Sequence, residues 1–149
     1  MADGETRVGT RAEGRSPRRR ERPSTARRRT LLVEATVVME ARYADPDLSG
    51  EQVARRIATS VRQLQRVFAE LADTTFRDEL NAVRMQHAAT LMLTTDLPVR
   101  EIATRVGHRQ PSHFAKAFRR HHGLPPSAFR VAVLRERRSD VGGSADTSY

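Results

Sequence analysis

The stretch Thr75–Leu93 constrains the fold most, because it predicts a single helix that is apolar on two sides. No Gly or Pro interrupts it, and successive residues of a helix lie ~100° apart around its axis. One side carries Phe76, Leu80, Val83, His87 and Leu91, and the roughly opposite side carries Met85, Ala88, Ala89 and Met92. A helix that is apolar on two sides is buried between two packed bodies. We therefore expect a packed unit on each flank of this central helix.

The segments on either side of the central helix resemble each other. One runs from Val53 to Leu71 and the other from Ile102 to Arg120. The matching pairs are Ala54 with Ala103, Ile57 with Val106, Leu64 with Phe114, and Phe68 with Phe118. Each segment predicts a short helix, a tight turn and a second helix of about three turns, which is the helix-turn-helix pattern of DNA-binding proteins. One such unit is a weak signal, whereas two in register on a shared helix are a much stronger one.

The composition narrows the protein class without deciding the function. The 149 residues include no cysteine, which removes disulfides, thiolate zinc sites and cysteine nucleophiles. No apolar run approaches the ~20 residues of a membrane span, so we expect a soluble, cytoplasmic protein that does not enter a membrane. The net charge of +9 suggests a polyanionic partner. That charge is uneven, since residues 1–30 hold ten Arg against four acidic residues while residues 31–130 hold 14 basic against 11 acidic residues.

The helical periodicity and the Gly and Pro positions predict an all-α fold of about seven helices. The predicted helices are Thr30–Ala44, Gly50–Ala58, Ser60–Leu71, Thr75–Leu93, Pro98 up to Gly107, about Gln110 to His122, and Pro126 to about Arg138. The folded domain is thus predicted at 30–138, with disordered tails at 1–29 and 139–149. The Arg-rich first tail has two interpretations, a basic arm that adds nonspecific DNA affinity and a solvated tail without a role.

The second helix of the first unit predicts a surface that reads bases. Its core residues are predicted to be Leu64, Phe68 and Leu71, while Arg62, Gln65 and Arg66 lie on another face. Arginine can donate two hydrogen bonds to guanine, and glutamine pairs with adenine in the major groove. Arg66 has a structural alternative, which is an ion pair with Glu70 one turn later.

The second unit predicts a matching surface. Ser112, His113 and Lys116 point away from the apolar side of the helix, and Lys116 suits a phosphate or a guanine. Arg109 in the turn and Arg119 or Arg120 at the helix end suit phosphate contacts. For His113 the alternative is an exposed side chain with no role.

The remaining polar residues predict neither an enzyme nor a metal site. His87 lies on the apolar stripe of the central helix and is interpreted as a core histidine bonded to a neighbour. His108, His121 and His122 do not form a metal-binding pattern, because no cysteine and few acidic residues accompany them. No paired carboxylates, nucleophile setting or Gly-rich phosphate loop is recognisable, so we expect no catalysis, no cofactor and no metal.

The run from Leu48 to Arg130 resembles the DNA-binding domain of the AraC/XylS transcription regulators. The resemblance rests on Ala54, Ser60, Leu64, Arg66, Phe68, Leu80, Arg84, Ala88, Leu91, Met92, Ile102, Ala103, Gly107, Phe114, Phe118, Gly123, Pro126 and Arg130. It implies seven helices and two recognition helices in adjacent major-groove segments of double-stranded DNA. The positions of base contact that it implies are Arg62, Gln65, Arg66, Ser112, His113 and Lys116.

The sequence departs from the family pattern in two respects. His108 stands in place of a usual Phe, Asp73 in place of a usual Gly, and Glu79 in place of a usual aromatic residue, and the first and third substitutions are expected to loosen packing around the central helix. Most members also carry a sensor domain, yet only about 30 residues precede the first predicted helix here. The resemblance therefore implies a stand-alone, monomeric regulator that contacts RNA polymerase. The alternative is a truncated fragment that antagonises a full-length relative through protein–protein interaction.

Overall fold

The computed structural model of the protein describes residues 24–142, and this part of the chain folds into seven α-helices without a β-strand. The helices are α1 (Thr25–Arg42), α2 (Gly50–Arg56), α3 (Val61–Leu71), α4 (Phe76–Thr94), α5 (Val99–Arg105), α6 (Pro111–His122) and α7 (Pro126–Gly142). The predicted all-α class is confirmed, with α2–α3 and α5–α6 as the two helix-turn-helix units and α4 as the helix between them. None of the described helices is long and apolar enough to cross a membrane.

Both terminal helices are longer than their sequence patterns predict. The side chain of Ser24 accepts a hydrogen bond from the backbone N–H of Arg27 at 3.2 Å, so α1 begins at Thr25 and not at Thr30. Residues 25–29, predicted to belong to the disordered tail, are thus helical, and residues 1–23 lie outside the described part of the chain. At the other end α7 continues past Arg138 to Gly142.

Hydroxyl side chains begin three of the internal helices. Ser49, Ser60 and Thr75 each accept a hydrogen bond from the backbone N–H three residues later, at 3.3, 3.1 and 3.1 Å. Such N-caps satisfy donors that have no partner within the helix. Ser60 and Thr75, at which two of the predicted helices begin, are thus the N-caps that precede α3 and α4.

Left-handed backbone conformations end the first helix of each unit. Gly107 has φ +84°, and Ala58 occupies the corresponding position of the first unit with φ +52°. Gly123, with φ +80°, ends α6 in the same conformation, as its sequence position predicts. Asp73 also has a positive φ, +49°, which explains why Gly is usual at this place. Aspartate tolerates this conformation better than alanine does, because its short polar side chain can form local hydrogen bonds.

The central helix α4 lies between two separate hydrophobic clusters, which confirms that it is apolar on two sides. The first cluster consists of Leu31, Ala35, Val38, Met39, Leu48, Val53, Ala54, Ile57, Leu64, Val67, Phe68 and Leu80. The second consists of Met85, Ala88, Met92, Ile102, Ala103, Val106, Phe114 and Phe118. Leu91, predicted on the side of the first cluster, packs instead against the second. Leu71, predicted in the core, lies at the end of α3 and is 36% exposed.

Arg84 joins the central helix α4 to the loop between α1 and α2. Its Nε donates to the backbone carbonyl of Tyr43 at 2.9 Å and its Nη2 to the carbonyl of Asp45 at 2.7 Å. Partial burial lowers the pKa of the Arg84 guanidinium, and the Asp45 carboxylate opposes that shift. The side chain of Tyr43 packs against both clusters. Through Tyr43 the loop between α1 and α2 also contacts the second cluster, so α4 is not the only contact between the two halves of the domain.

Candidate nucleic-acid interface

The helix α3 presents its predicted reading residues to solvent. Leu64, Val67 and Phe68 are fully buried and fix the rotation of the helix about its axis. Arg62 and Gln65 are consequently exposed, and Arg66 is partly exposed beside them. A polar stripe of this kind on the second helix of a helix-turn-helix unit is the geometry that the major groove accepts.

The helix α6 is oriented in the same manner by aromatic packing. Phe114 and Phe118 are fully buried with ring centroids 5.6 Å apart, and Phe129 of α7 packs edge-on against Phe118 at 5.3 Å. Pro111 occupies the first helical position, where its missing N–H has no consequence. The predicted contact residues Arg109, Ser112, His113, Lys116 and Arg120 are all exposed.

Two clefts accompany the recognition helices. The larger, of about 850 Å³, lies between α6, the N-terminal half of α4 and the start of α2. Three of the predicted contact residues, His113, Lys116 and Arg120, line it together with Arg77 and Asn81 of α4. The smaller cleft, of about 400 Å³, is lined by Gln65 of α3 and by residues of α2 and α4. The structure thus gathers three of the predicted α6 residues in one cleft, while Ser112 and the α3 residues lie outside it.

Three predicted contact arginines are already paired with carboxylates. Arg66 Nε lies 3.6 Å from Glu70, so the ion pair considered as its structural alternative is present. Arg109 Nη2 donates to both carboxylate oxygens of Asp47, at 2.7 and 2.6 Å. Arg120 Nη2 lies 3.6 Å from Asp78 across the larger cleft.

Sequence reasoning missed several residues of this surface. It did not assign to this surface Asp47, Arg77, Asp78 or Asn81. Arg84 was named only as one of the residues that match the family pattern. Asp47 meets Arg109 across 62 positions of the chain. No local pattern encodes such a pair, so only the folded structure could reveal it.

The imidazole of His108 is partly buried in a site near the Arg84 guanidinium that disfavours its charged form. Its ring packs edge-on against Phe114 at a centroid distance of 5.6 Å, and its Nε2 is buried without a protein hydrogen-bond partner among the described residues. Burial lowers the pKa of His108 below its usual 6.5, and the charges of Arg84 and His113 lower it further. The family pattern places a phenylalanine here, and the surroundings of the ring explain that preference.

Replacing His108 with phenylalanine is expected to stabilise the domain more at about pH 5 than at about pH 8. Below pH 6.5 the unfolded chain binds a proton at His108 that the folded chain binds only at lower pH. The wild-type protein therefore loses stability as the pH falls through this window, and the variant does not lose that part. Thermal melting of both proteins at the two pH values measures the difference. An equal gain at both pH values would show that His108 does not titrate as inferred.

His87 is a surface residue and not the predicted core histidine. Its side chain is 36% exposed, its Nε2 lies 2.8 Å from a Glu40 carboxylate oxygen, and its ring stacks on Tyr43 at 3.8 Å. The predicted bond to a neighbour is thus confirmed, while the predicted burial is wrong. Within residues 24–142, no group of three or more His, Asp or Glu side chains is placed to hold a metal ion.

Comparison with known proteins shows to which family this chain belongs. A family described as "Helix-turn-helix domain" matches residues 53–132. The ornithine utilization regulator of Pseudomonas aeruginosa is 41% identical over 103 residues, which cover 68% of this chain and 30% of that regulator. A transcriptional regulator of Chromobacterium violaceum, described by its AraC-type DNA-binding domain, is 26% identical with a TM-score of 0.69, over 74% of this chain and 98% of that one. The chain belongs to the AraC/XylS family.

A second AraC-type structure is directly relevant to the interface. The DNA-binding domain of AdpA, a global transcriptional factor, was solved in complex with a target DNA. It is 30% identical to this chain with a TM-score of 0.67, over 72% of this chain and 96% of the AdpA domain. A domain of this AraC-type fold, that of AdpA, therefore binds DNA. The chain spans less than a third of the length of the ornithine utilization regulator.

Proposed function

We propose that this AraC-type chain binds specific duplex DNA sites and thereby regulates transcription, with α3 and α6 in successive major-groove segments. The observation that carries the proposal is that both recognition helices bury one side completely and leave a polar side exposed. Burial of Phe68 in one unit and of Phe118 in the other fixes each helix in rotation. Preorganised reading side chains lose less conformational entropy on binding than mobile ones do.

Each predicted contact residue has a role that follows from its chemistry. We assign base contacts to the residues on the exposed faces of the two helices, which are Arg62, Gln65, Arg66, Ser112, His113 and Lys116. Arg109 lies in the turn before α6 and Arg120 near its C-terminal end. These two arginines are assigned to phosphates, which set the position of a protein on DNA without reading its sequence.

The oligomeric state of the chain and its second partner are part of the same proposal. Two recognition helices in one chain supply contacts to two half-sites, so a monomer suffices for a double site. We place this monomer in the cytoplasm and propose RNA polymerase as a second partner, because a regulator that acts at promoters works beside that enzyme.

Selection of bound duplexes from random DNA with the purified protein tests the proposal. We expect a motif of two half-sites with centres ~10 base pairs apart, since one helical turn separates successive major-groove faces. A variant with alanine at Arg62, Gln65, His113 and Lys116 is the matched control, because all four side chains are exposed and their loss should leave the fold intact. Absence of any enriched motif with a folded wild-type protein would contradict sequence-specific binding.

A further inference from the structure

The carboxylates on the proposed interface are arranged around its arginines. Of the four arginines assigned to DNA contact, Arg66, Arg109 and Arg120 form ion pairs with Glu70, Asp47 and Asp78. Arg62 is the fourth, and it has no ion pair within the described part of the chain. Negative charge on a surface that meets DNA opposes binding, so the presence of three acidic residues on this surface needs an explanation.

The pair of Asp47 and Arg109 has the closest geometry of the three. The guanidinium Nη2 donates to both carboxylate oxygens, and the two side chains are 63% and 66% exposed. Asp47 is itself held in place, since its backbone N–H donates to the side chain of Asp45 at 2.9 Å. Asp45 in turn accepts a hydrogen bond from Arg42 at 2.7 Å. The backbone that carries the Asp47 carboxylate is therefore fixed within the loop between α1 and α2, and the carboxylate itself binds Arg109.

The other two acidic residues are held through their carboxylate oxygens. Asp78 accepts a hydrogen bond from the hydroxyl of Thr75 at 2.8 Å and faces Arg120 at 3.6 Å. Glu70 accepts a hydrogen bond from Arg28 of α1 through one oxygen and pairs with Arg66 through the other. The carboxylates of Asp78 and Glu70 thus each have a second partner that keeps them beside their arginines.

We propose that Asp47, Asp78 and Glu70 act as internal competitors of DNA, holding Arg109, Arg120 and Arg66 in ion pairs that open when the arginines contact DNA. This inference rests on the proposed function. A carboxylate presents two anionic oxygens to a guanidinium group much as a phosphate does, and arginine binds both in the same planar geometry. The three acidic residues then lower DNA affinity in proportion to the stability of their pairs.

The two classes of arginine lead to different consequences for specificity. Arg109 and Arg120 contact phosphates, which every duplex offers, so Asp47 and Asp78 lower the affinity for operator and random DNA by the same factor. Arg66 is assigned to a base, so Glu70 lowers the affinity for the operator alone. Exposed ion pairs are weak, and each is expected to change the dissociation constant by only about two- to five-fold.

The salt dependence of binding gives a second signature. When Arg109 moves to a phosphate, it releases a counterion from the DNA and leaves Asp47 free to take up a cation. The uptake cancels part of the release, so removing the carboxylate should steepen the slope of log affinity against log salt by up to ~0.9. A long-range effect of the lost charge involves no such exchange of partners, so it does not change the salt slope in this way.

Asp47→Asn, Asp78→Asn and Glu70→Gln test the proposal in binding titrations with the selected operator and a random duplex at several salt concentrations. Glu101→Gln is the matched control, because it removes the same charge from an exposed pair, that with Arg105 within α5, and lines neither cleft. We expect Asp47→Asn and Asp78→Asn to tighten both duplexes equally and beyond the control. Glu70→Gln should tighten binding beyond the control only with the operator, and should match the control with the random duplex.

Arg109→Gln supplies a background in which the Asp47 pair cannot form. In the Arg109→Gln protein, Asp47→Asn should tighten DNA binding no more than Glu101→Gln does. Circular dichroism checks that each variant keeps its helices. Gains equal to those of Glu101→Gln, or weaker binding by folded variants, would overturn the proposal. If the wild-type protein binds no duplex at all, the proposed function fails instead, so the two failures are distinguishable.

Discussion

Alanine at both Arg62 and Gln65 is expected to weaken operator binding by about 2–6 kcal/mol, because each good base contact contributes about 1–3 kcal/mol of discrimination. Both side chains are exposed on α3, so the thermal stability of the domain should change little. His113→Ala with Lys116→Ala is the corresponding change on α6. Titration of each double variant against the operator and against two operators with one half-site scrambled measures the effect.

The scrambled operators show which helix reads which half-site. A variant that has lost the reading residues of α3 should not respond to scrambling of the α3 half-site. The same variant should still respond fully to scrambling of the α6 half-site, and the α6 variant should show the reverse. If both variants respond equally to both scrambled operators, the two units do not read separate half-sites.

Replacing Gly107 with alanine is expected to destabilise the domain by about 2–5 kcal/mol. The position has φ +84°, which costs about 1–2 kcal/mol for a residue with a Cβ. The added Cβ would also lie 2.7 Å from the backbone carbonyl oxygen of Tyr43 and 3.0 Å from the Arg84 guanidinium. Relief of such a clash requires movement of backbone, and overpacking of this kind costs about 1–3 kcal/mol more. Chemical denaturation of the variant measures the loss.

Gly123 and Ala58 provide the controls for Gly107. Gly123→Ala imposes the same backbone strain at φ +80° with nothing within 4 Å of the new Cβ, so it should cost only about 1–2 kcal/mol. Ala58→Gly should stabilise the domain by about 1–2 kcal/mol, because it removes the same left-handed strain from the corresponding turn of the first unit. Equal losses of stability for the two Gly→Ala variants would mean that the clash of the new Cβ with Tyr43 does not contribute to the free energy of unfolding.

Local chemistry made much of this fold predictable. Ser60 and Gly123 mark helix ends through a side-chain cap and a positive φ, and both effects act within one turn of helix. The two apolar sides of α4 were visible for the same reason, since helical geometry alone decides which residues share a face. Helix ends set by weaker signals were less accurate, as the early start of α1 at Thr25 shows.

Features that depend on distant partners were not predictable. Leu71 matches the apolar spacing of α3, yet it lies where the helix leaves the core. His87 also matches the apolar stripe, but Glu40 of α1 and Tyr43 just after α1 keep it partly exposed. The role of Arg84 depends on two backbone carbonyls about forty positions away. Each of these outcomes follows from how helices dock, which the spacing within a single helix does not encode.

The exposure of the reading residues has an evolutionary consequence. Arg62, Gln65 and Lys116 lie on helix faces whose opposite sides carry the packing, and exposed substitutions of this kind usually change stability by less than about 0.5 kcal/mol. A lineage could exchange these side chains, and with them the preferred operator, through folded intermediates. Substitution of Arg109 or Arg120 is more restricted, because it would leave the carboxylate of Asp47 or Asp78 without its arginine on the proposed DNA-binding surface. New binding preferences should therefore arise first at the unpaired positions.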